Sequence, residues 1–252
     1  MLDNSNSTAQ LYFSTRNLIL NALTEDEYAR LLPDLEPVKL TLGQVLYRAE
    51  EPIKHIYFLN NSMVSVVAMT SDGQCAEAGV IGYEGLVGMD ALMGSDSALN
   101  ETIVQHPDGA LRIRVDAVRT EFKRGGVLLD RFLSFTRLLL IQIGQTALCN
   151  RLHTVEERLA KWLLLCRDRA GTNKLQLTQE FLSIMLGANR PTVTVAAITL
   201  QSAGYIKYTR GRITIIDPEE LRYFSCDCYQ TVKHEYDRIE NLQTGGSSDH
   251  RR

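Results

Sequence analysis

Apolar residues follow two different periods along the chain, and the change divides it into a strand-rich part and a helical part. Over residues 38–115, apolar and polar positions alternate in short runs, which predicts β-strands. From residue 116 onward, apolar positions recur mainly at helical spacing. The pattern therefore predicts an α+β protein in which the strands come first.

Five strand-like runs, separated by Gly, Pro, Asn, Asp and Ser, occupy the first part. In chain order they are VKLTLGQVLY, HIYFLN, MVSVVAMT, AEAGVIG and ALRIRV. A Ser-Asp-Gly sequence at residues 71–73 predicts a hairpin. Short strands in this number predict a small antiparallel barrel or a double-sheet roll. Before them, Thr24 and Glu27 have the spacing of a helical capping box, and Pro33 is expected to end that short helix.

After Gly125 and Gly126, one predicted helix has apolar residues on more than one side. They are Leu128, Leu129, Phe132, Leu133, Phe135, Leu138, Leu139, Ile141 and Ile143. A helix with this much apolar surface must be covered on more than one side. One side can lie on the roll, and the other would suit the same helix of a second copy in a two-fold dimer. The alternative is a monomer that buries both sides internally.

Residues 177–204 predict two short helices joined by a tight turn. Thr178 can cap the first helix, and Gly187 is placed to end it. Asn189 can cap the second helix, in which Pro191 is tolerated because first-turn amides have no intrahelical partner. An amphipathic helix over residues 156–170 leads into this segment.

A hairpin is expected after Gly204, which can end the second helix in a left-handed conformation. Residues 205–208 and 213–216 predict its strands, around a turn at residues 210–211. Helix, glycine turn, helix and hairpin are together typical of a winged helix-turn-helix, whose second helix enters the major groove of DNA.

Positive charge is concentrated in one segment, although the whole chain has a net charge of −3. Residues 1–150 contain 12 Lys/Arg and 18 Asp/Glu, a net −6, and residues 217–252 contain 5 and 8, a net −3. Residues 151–216 contain 10 and 4, a net +6. The segment with the helix-turn-helix is thus the one expected to meet phosphate, and a solvated basic face is the alternative.

Composition excludes several other classes of protein. Five scattered cysteines, an odd number, do not form a secreted disulfide framework and favour a reducing cytoplasm. No signal-peptide pattern is present, and Gln142 and Gln145 interrupt the most apolar region, so we expect no membrane anchor. No motif joins a nucleophile, a base and oxyanion donors, so we expect no enzyme activity.

The order of roll, long helix and winged helix-turn-helix resembles that of the Crp/Fnr family of bacterial transcription regulators over nearly all of residues 17–218. LTQEFLSIMLGANRPTVTVAAITLQSAGYI resembles the family's DNA-reading segment. VLYRAEEPIKHIYFLNNSMVSVV resembles its first half-roll, and GLVGMDAL its short helix beside the effector pocket. The resemblance implies a cyclic-nucleotide-binding-like jelly roll, a long dimerisation helix and a C-terminal DNA-binding domain.

The resemblance also implies which residues touch DNA. Arg190 stands where the family reads guanine with a guanidinium group. Pro191 and Val195 depart from the family's base-reading Glu and second Arg, so the operator should differ from the one read by better-known members. Positions that cap or touch phosphate are Thr178, Gln179, Asn189 and Thr192, with Lys207, Arg210 and Arg212 on the wing. The wing residues could equally be solvated surface.

Thr194 and Val195 could offer methyl groups to thymine. A half-buried Val195 that makes no contact with DNA is the alternative.

The effector pocket departs further from members that bind cyclic AMP. Aligning GLVG with the family places Met89 where a Glu accepts from the ribose, and Leu99 or Asn100 near the Arg that meets the phosphate. No Arg or Lys occurs between Lys54 and Arg112, so the charge balance argues against a cyclic nucleotide. The predicted pocket residues are Glu84, Gly85, Gly88, Met89 and Asn100.

Cysteine positions argue against an iron–sulfur cluster, because the family's N-terminal cysteine cluster is absent before Cys75. Haem would need only His55, His106 or a cysteine, but solvated histidines are the simpler interpretation. The CDC sequence at residues 226–228, with His234 nearby, could be a redox pair, part of a metal site or two ordinary thiols. We favour ordinary thiols and predict no metal and no cofactor.

These expectations combine into a cytoplasmic homodimer that regulates transcription from a pseudo-palindromic operator, with RNA polymerase as a further partner and no membrane contact. An alternative is a small-molecule sensor or interaction module whose C-terminal domain binds protein. The predicted domains are a flexible N-terminus (1–15), a β-roll (16–116), a dimerisation helix (117–150), a winged helix-turn-helix (151–218), and a C-terminal helix with a disordered tail (219–252).

Overall fold

A computed structural model describes residues 15–242 of the chain. The flexible N-terminus and the disordered tail predicted for residues 1–15 and 243–252 lie outside the described residues, except for Thr15. Two antiparallel sheets, a long helix and a helical C-terminal part with a small sheet follow one another, which confirms the predicted α+β architecture.

Two short helices, α1 (Leu18–Ala22) and α2 (Glu25–Leu31), begin the described chain, and Pro33 lies in the single turn that ends them. Thr24 and Glu27 form the predicted capping box of α2. The Glu27 carboxylate also accepts hydrogen bonds from the backbone N–H groups of Val127, at 2.7 Å, and Leu128, at 3.4 Å. One carboxylate therefore serves the first turns of two helices.

The roll consists of two four-stranded antiparallel sheets, in the orders β1-β8-β3-β6 and β2-β7-β4-β5. Its strands are β1 (Glu36–Lys39), β2 (Val45–Tyr47), β3 (His55–Leu59), β4 (Met63–Met69), β5 (Cys75–Ile81), β6 (Leu86–Val87), β7 (Glu101–His106) and β8 (Gly109–Arg114). The predicted run VKLTLGQVLY is two strands, and the pattern missed β6 and β7. Strand β7 was missed because the buried side chains of Thr102 and Gln105 are polar.

The predicted long helix is interrupted once, where Gly125 and Gly126 adopt φ of +84° and +80°. A side chain on Gly126 would meet the Glu27 carboxylate. The glycine pair separates α3 (Val115–Arg124) from α4 (Val127–Leu152).

Helix α4 buries one apolar stripe and exposes another. The buried residues are Leu128, Phe132, Phe135, Leu138, Leu139, Gln142 and Cys149. The exposed apolar residues are Leu133, Leu140, Ile143, Leu148 and Leu152. By length and composition alone α4 could cross a membrane, with a mean hydropathy of 1.3 in its most apolar window. Core helices of soluble proteins meet the same criterion, and Gln142 places a hydrogen-bonded amide in the middle of α4.

The C-terminal part consists of five helices and a three-stranded sheet of order β10-β11-β9 within the described residues. Its elements are α5 (Val155–Ala170), β9 (Lys174–Gln176), α6 (Gln179–Leu186), α7 (Arg190–Ser202), β10 (Ile206–Thr209), β11 (Arg212–Ile215), α8 (Pro218–Phe224) and α9 (Cys228–Asn241). The hairpin strands lie one residue away from their predicted positions. Strand β9 was not predicted, and the C-terminal segment forms two helices where one was expected.

The C-terminal part and the roll share one hydrophobic core. Met63, Val67 and Val80 of the roll belong to the same buried cluster as Trp162 and Leu163 of α5. Helix α9 packs against α4 and α5 and covers part of the long helix. No described residue of the chain buries the exposed stripe of α4.

Candidate nucleic-acid interface

The helix-turn-helix is formed by α6 and α7, which enclose an angle of 102°. Thr178 caps α6 by accepting from the Phe181 N–H, and Asn189 caps α7 by accepting from the Thr192 N–H, at 3.1 and 3.0 Å. Gly187 ends α6 with φ +53°, as the sequence predicted. The apolar faces of both helices are buried against α5, which leaves the opposite side of α7 to solvent.

The exposed side of α7 contains the predicted reading residues. Arg190 is exposed at the first position of the helix. Val195 is 57% exposed, so its side chain is accessible from solvent, and whether it contacts DNA stays a prediction. Ile198, 56% exposed one turn later, extends this surface and was not predicted. Its spacing from Thr194, rather than its apolar character, places it on the reading side.

The hydroxyl groups on this surface are already used within the helix. Thr192 donates to the Asn189 side chain at 2.8 Å, and Thr194 donates to the Arg190 carbonyl at 2.9 Å. Each hydroxyl keeps its lone pairs, whereas its single proton is engaged. Gln179 lies at the first position of α6 and is partly buried. Thr192, Thr194 and Gln179 therefore fit contacts to phosphate and to the groove wall better than donation to a base.

The wing is the β10–β11 hairpin. Lys207 and Arg212 are exposed on its two strands, and Arg210 is exposed in its turn with φ +47°. An arginine in this left-handed conformation is unfavourable by about 1 kcal/mol or more relative to glycine. Arg210 and Gly211 together turn the chain, so the hairpin presents three cations on one edge of the domain.

Three of the ten cations in residues 151–216 do not face solvent. Arg158, Lys161 and Arg169 on α5 are 9%, 5% and 1% exposed. The basic surface of this segment is therefore smaller than its net charge of +6 predicts. The exposed cations near the reading helix are Lys174, Arg190, Lys207, Arg210 and Arg212.

Comparisons with known proteins identify this segment. Residues 157–224 match the model of the Crp-like helix-turn-helix domain. The chain has the Crp/Fnr regulator fold with a Crp-like helix-turn-helix domain. The predicted Crp-like helix-turn-helix domain is thereby confirmed.

Solved structures agree with this fold. A putative Crp/Fnr-family transcriptional regulator from Eubacterium rectale has a TM-score of 0.65 and 16% identity over 82% of this chain and 96% of that one. FixK2 from Bradyrhizobium japonicum also has a TM-score of 0.65 and 16% identity, over 76% and 98%. CLP from Xanthomonas campestris, a c-di-GMP-responsive global regulator, has a TM-score of 0.62 and 16% identity, over 76% and 99%. No curated protein matches the chain.

In this Crp/Fnr fold, an apolar cavity of about 250 Å³ lies between the roll and α4. Gly88, Met89 and Asn100 line it, as predicted, together with side chains of α4 such as Leu139 and Ile143. None of the described residues that line it is Arg, Lys or His. A buried phosphodiester would therefore have no cation in this cavity.

Two predicted pocket residues lie elsewhere. The Glu84 carboxylate accepts from the Arg169 guanidinium of α5 at 2.7 Å, and both side chains are 1% exposed. Gly85 packs on α4, and a Cβ there would lie 2.1 Å from the Phe135 ring. Their assignment to the effector pocket is wrong, because both residues hold the roll against helices instead of lining the cavity.

The contact between roll and DNA-binding domain, here called the junction, contains a buried polar network. Arg169 also donates to Gln142 of α4 at 2.9 Å, which links three elements through one guanidinium. A second group joins Glu77 of β5 to the Trp162 indole N–H at 2.7 Å and to the Ser65 hydroxyl. Burial raises the pKa of Glu77 to about 7, against the hydrogen bonds from Ser65 and Trp162 that lower it.

Cys226 and Cys228 do not meet His234. Their thiols lie with those of Cys149 and the imidazole of His153. The Cys149 and Cys226 sulfur atoms are 3.3 Å apart, and this hydrogen bond lowers the pKa of Cys149, helped by the Lys161 ammonium and opposed by burial. No sequence pattern connects residues 149–153 with residues 226–228, because 72 residues separate the two segments.

Proposed function

We propose that the protein is a sequence-specific, DNA-binding transcriptional regulator that acts as a cytoplasmic homodimer and has no catalytic activity. The observation that carries the proposal is Arg190, exposed at the first turn of α7 beside a wing with Lys207, Arg210 and Arg212. A guanidinium at the start of a recognition helix can donate two parallel hydrogen bonds to guanine. The wing cations suit phosphates on either side of the groove.

The exposed stripe of α4 supports the homodimer. Leu133 and Leu140 are 54% and 64% exposed and lie seven residues apart, which is the repeat of a two-helix seam. A two-fold axis along α4 would place the two α7 helices on the same side of a DNA duplex. Half-sites about 34 Å apart, one turn of DNA, would then form a pseudo-palindrome.

Any small-molecule effector is proposed to be apolar. The cavity beside α4 has no cation among its described lining residues, which argues against cyclic AMP. Because Leu139, Leu140 and Ile143 line it, an occupant would touch the helix that forms the dimer seam. A ligand could thereby favour one arrangement of α4 over another.

Contact with RNA polymerase follows from the proposed role and depends on operator position.

Selection of bound fragments from random DNA, followed by gel-shift titration at several salt concentrations, tests DNA reading. The wild type should select a palindrome. Arg190→Ala should lose discrimination at one base position by about 1–3 kcal/mol. Arg212→Ala should weaken all sequences alike and reduce the salt slope by about one.

Arg114→Ala is the matched control, because Arg114 is an exposed arginine on the roll. It should bind like the wild type. If wild type and Arg190→Ala bind every sequence equally, DNA reading by α7 is excluded.

Light scattering after size exclusion tests the dimer. Leu140→Asp should convert the dimer to a monomer, because a carboxylate would be buried in the seam. Leu42→Asp, at a residue 47% exposed between β1 and β2 and outside the cavity beside α4, should remain dimeric. A monomeric wild type at micromolar concentration would contradict the proposed seam.

A further inference from the structure

Three thiols and one imidazole converge where the long helix meets the C-terminal helices. One ligand atom from each of Cys149, His153, Cys226 and Cys228 lies within 4.8 Å of every other. The Cys149 and Cys226 sulfur atoms are 3.3 Å apart, and the Cys228 sulfur is 3.7 Å from Nδ1 of His153.

Local structure places these side chains together. Cys149 is in the last turn of α4, and His153 follows four residues later as its C-terminal cap, so both point to the same side. Cys228 is the first residue of α9, and Cys226 lies two residues before it. The three cysteines are 1%, 5% and 2% exposed and form a buried cluster separate from the hydrophobic core that the roll shares with the C-terminal part.

We propose that Cys149, His153, Cys226 and Cys228 bind one zinc ion in a tetrahedral Cys₃His site. Thiolate and imidazole are the ligands zinc prefers, and four protein ligands complete its coordination. Such a closed site leaves no position for water or substrate, which is typical of a structural ion and not of a catalytic one.

The distances between the four ligand atoms favour a single metal ion over an iron–sulfur cluster or a disulfide. Zinc–sulfur bonds of about 2.3 Å place tetrahedral ligands about 3.8 Å apart, close to the observed separations. An iron–sulfur cluster holds its cysteines on several irons and needs a wider set. A disulfide between Cys149 and Cys226 would account for two of the thiols and leave Cys228 and His153 unexplained.

The surrounding charge fits an anionic metal centre. Three thiolates around a divalent cation leave a net charge of −1, which is costly to bury without a compensating cation. Lys161 and Arg158 are buried on α5 and line the same small cavity as Cys149. The Arg158 guanidinium donates to the Leu186 carbonyl at the end of α6, so it is fixed beside the centre. These two cations are among those that do not face DNA.

The ion would fasten the end of α4 to the start of α9. Helix α9 packs back along α4, and the Tyr83 hydroxyl of the roll donates to Glu240 near its end at 2.9 Å. Zinc would thus fix the point at which the long helix passes into the DNA-binding domain. This role does not depend on which operator is read.

Metal analysis of the full-length protein, purified under reducing conditions from zinc-supplemented cells, tests the proposal. One zinc ion per chain is expected to survive dialysis. Replacement by cobalt should give the visible d–d bands of a tetrahedral site and near-ultraviolet sulfur-to-cobalt charge transfer. Removal of the ion by a chelator should lower the melting temperature and expose three additional thiols to a thiol reagent.

Variants locate the ion. Loss of a residue that hydrogen-bonds a metal ligand weakens metal binding by roughly 10- to 100-fold. Loss of a ligand itself should weaken zinc binding by more than this. The four variants are Cys149→Ser, His153→Ala, Cys226→Ser and Cys228→Ser. Cys75→Ser, a partly exposed thiol on the roll, should keep the ion. Because a variant could fail to fold, the thiol protection of the wild type provides an independent measurement.

Two results would overturn the proposal. One is a folded, reduced wild-type protein that retains no zinc or cobalt and whose buried thiols react equally with and without chelator. The other is a Cys149–Cys226 disulfide, found by mass spectrometry in protein purified without reductant, together with no metal uptake after reduction.

Discussion

The two sides of the roll differ in the charged groups that they bury. On the side facing the middle of α4, the cavity is apolar and has no cation among its described lining residues. On the side facing α5, two carboxylates are buried, Glu77 at 7% and Glu84 at 1% exposure, and each has a partner from the DNA-binding domain. The cavity can admit an apolar guest, whereas the junction requires specific polar partners.

This difference shows why a single carboxylate near the family's pocket motif is weak evidence for a ligand site. Glu84 stands at a position in the chain where an effector contact was expected, yet its carboxylate binds Arg169. Gly82 permits this approach, because a Cβ there would lie 2.9 Å from Arg169 side-chain carbons. The junction is therefore built by charge pairing and close backbone approach, and the cavity by apolar packing.

The largest effect is expected from breaking the buried pair. Arg169→Met leaves Glu84 buried without its cation and should lower the free energy of unfolding by about 3–5 kcal/mol. The double variant Glu84→Met/Arg169→Met should recover much of this loss. Urea denaturation measures both, with Arg222→Met, in an exposed pair with Glu219, as the control that changes little. Equal effects of the Arg169 and Arg222 variants would remove the distinction between junction and surface.

The second effect is a pH dependence that originates at Glu77. Burial raises its pKa from 4.5 to about 7 in the folded protein, so the folded state holds a proton that the unfolded state has released. The resulting stability is fully present below about pH 4.5 and is lost as pH rises through about 7, up to about 3 kcal/mol. Glu77→Gln should remove this decline, measured as unfolding free energy against pH.

The matched control for that measurement is Glu101→Gln. Glu101 lies on β7 of the same sheet and is partly exposed. This variant should keep the decline of the wild type. An unchanged pH profile in Glu77→Gln would show that the junction carboxylate does not hold the extra proton.

The smallest effect concerns the cavity. An apolar fluorescent probe at ten times its dissociation constant should stabilise the protein by about 1.4 kcal/mol, and cyclic AMP should produce no shift in melting temperature. Ile143→Trp, at a residue that lines the cavity, should reduce probe binding. Leu152→Trp, on the same helix outside the cavity, should not. Stabilisation by cyclic AMP would contradict the apolar description.

Local sequence rules predicted most elements of the fold. The Thr24–Glu27 box, the glycines at 125–126, 187 and 204, and the N-caps Thr178 and Asn189 all act within a few residues. Elements defined by distant partners were missed. Strand β7 has polar side chains that are buried only because β2 and β4 flank it, and β9 is three residues long and is defined by β11.

The candidate sites divide in the same way. Arg190 could be assigned because its position in the second helix follows from local caps and from a family motif. Glu84 was assigned to the effector pocket, and Arg158 and Lys161 were counted in the basic segment. Both errors arise because whether a charged side chain faces solvent or another domain depends on the tertiary packing of α5. The contact of Cys149 with Cys226 is of this second kind and has no local sequence pattern.

The shared cap at Glu27 has a mechanical consequence. Its carboxylate holds the first turn of α2 through Thr24 and the first turn of α4 through Val127 and Leu128. A rotation of the long helix about its axis would either move α2 with it or break the hydrogen bonds that the Val127 and Leu128 N–H groups donate to Glu27. The start of α4 is thus coupled to α2, so a change in the orientation of the long helix is expected to be transmitted to the first helices of the chain.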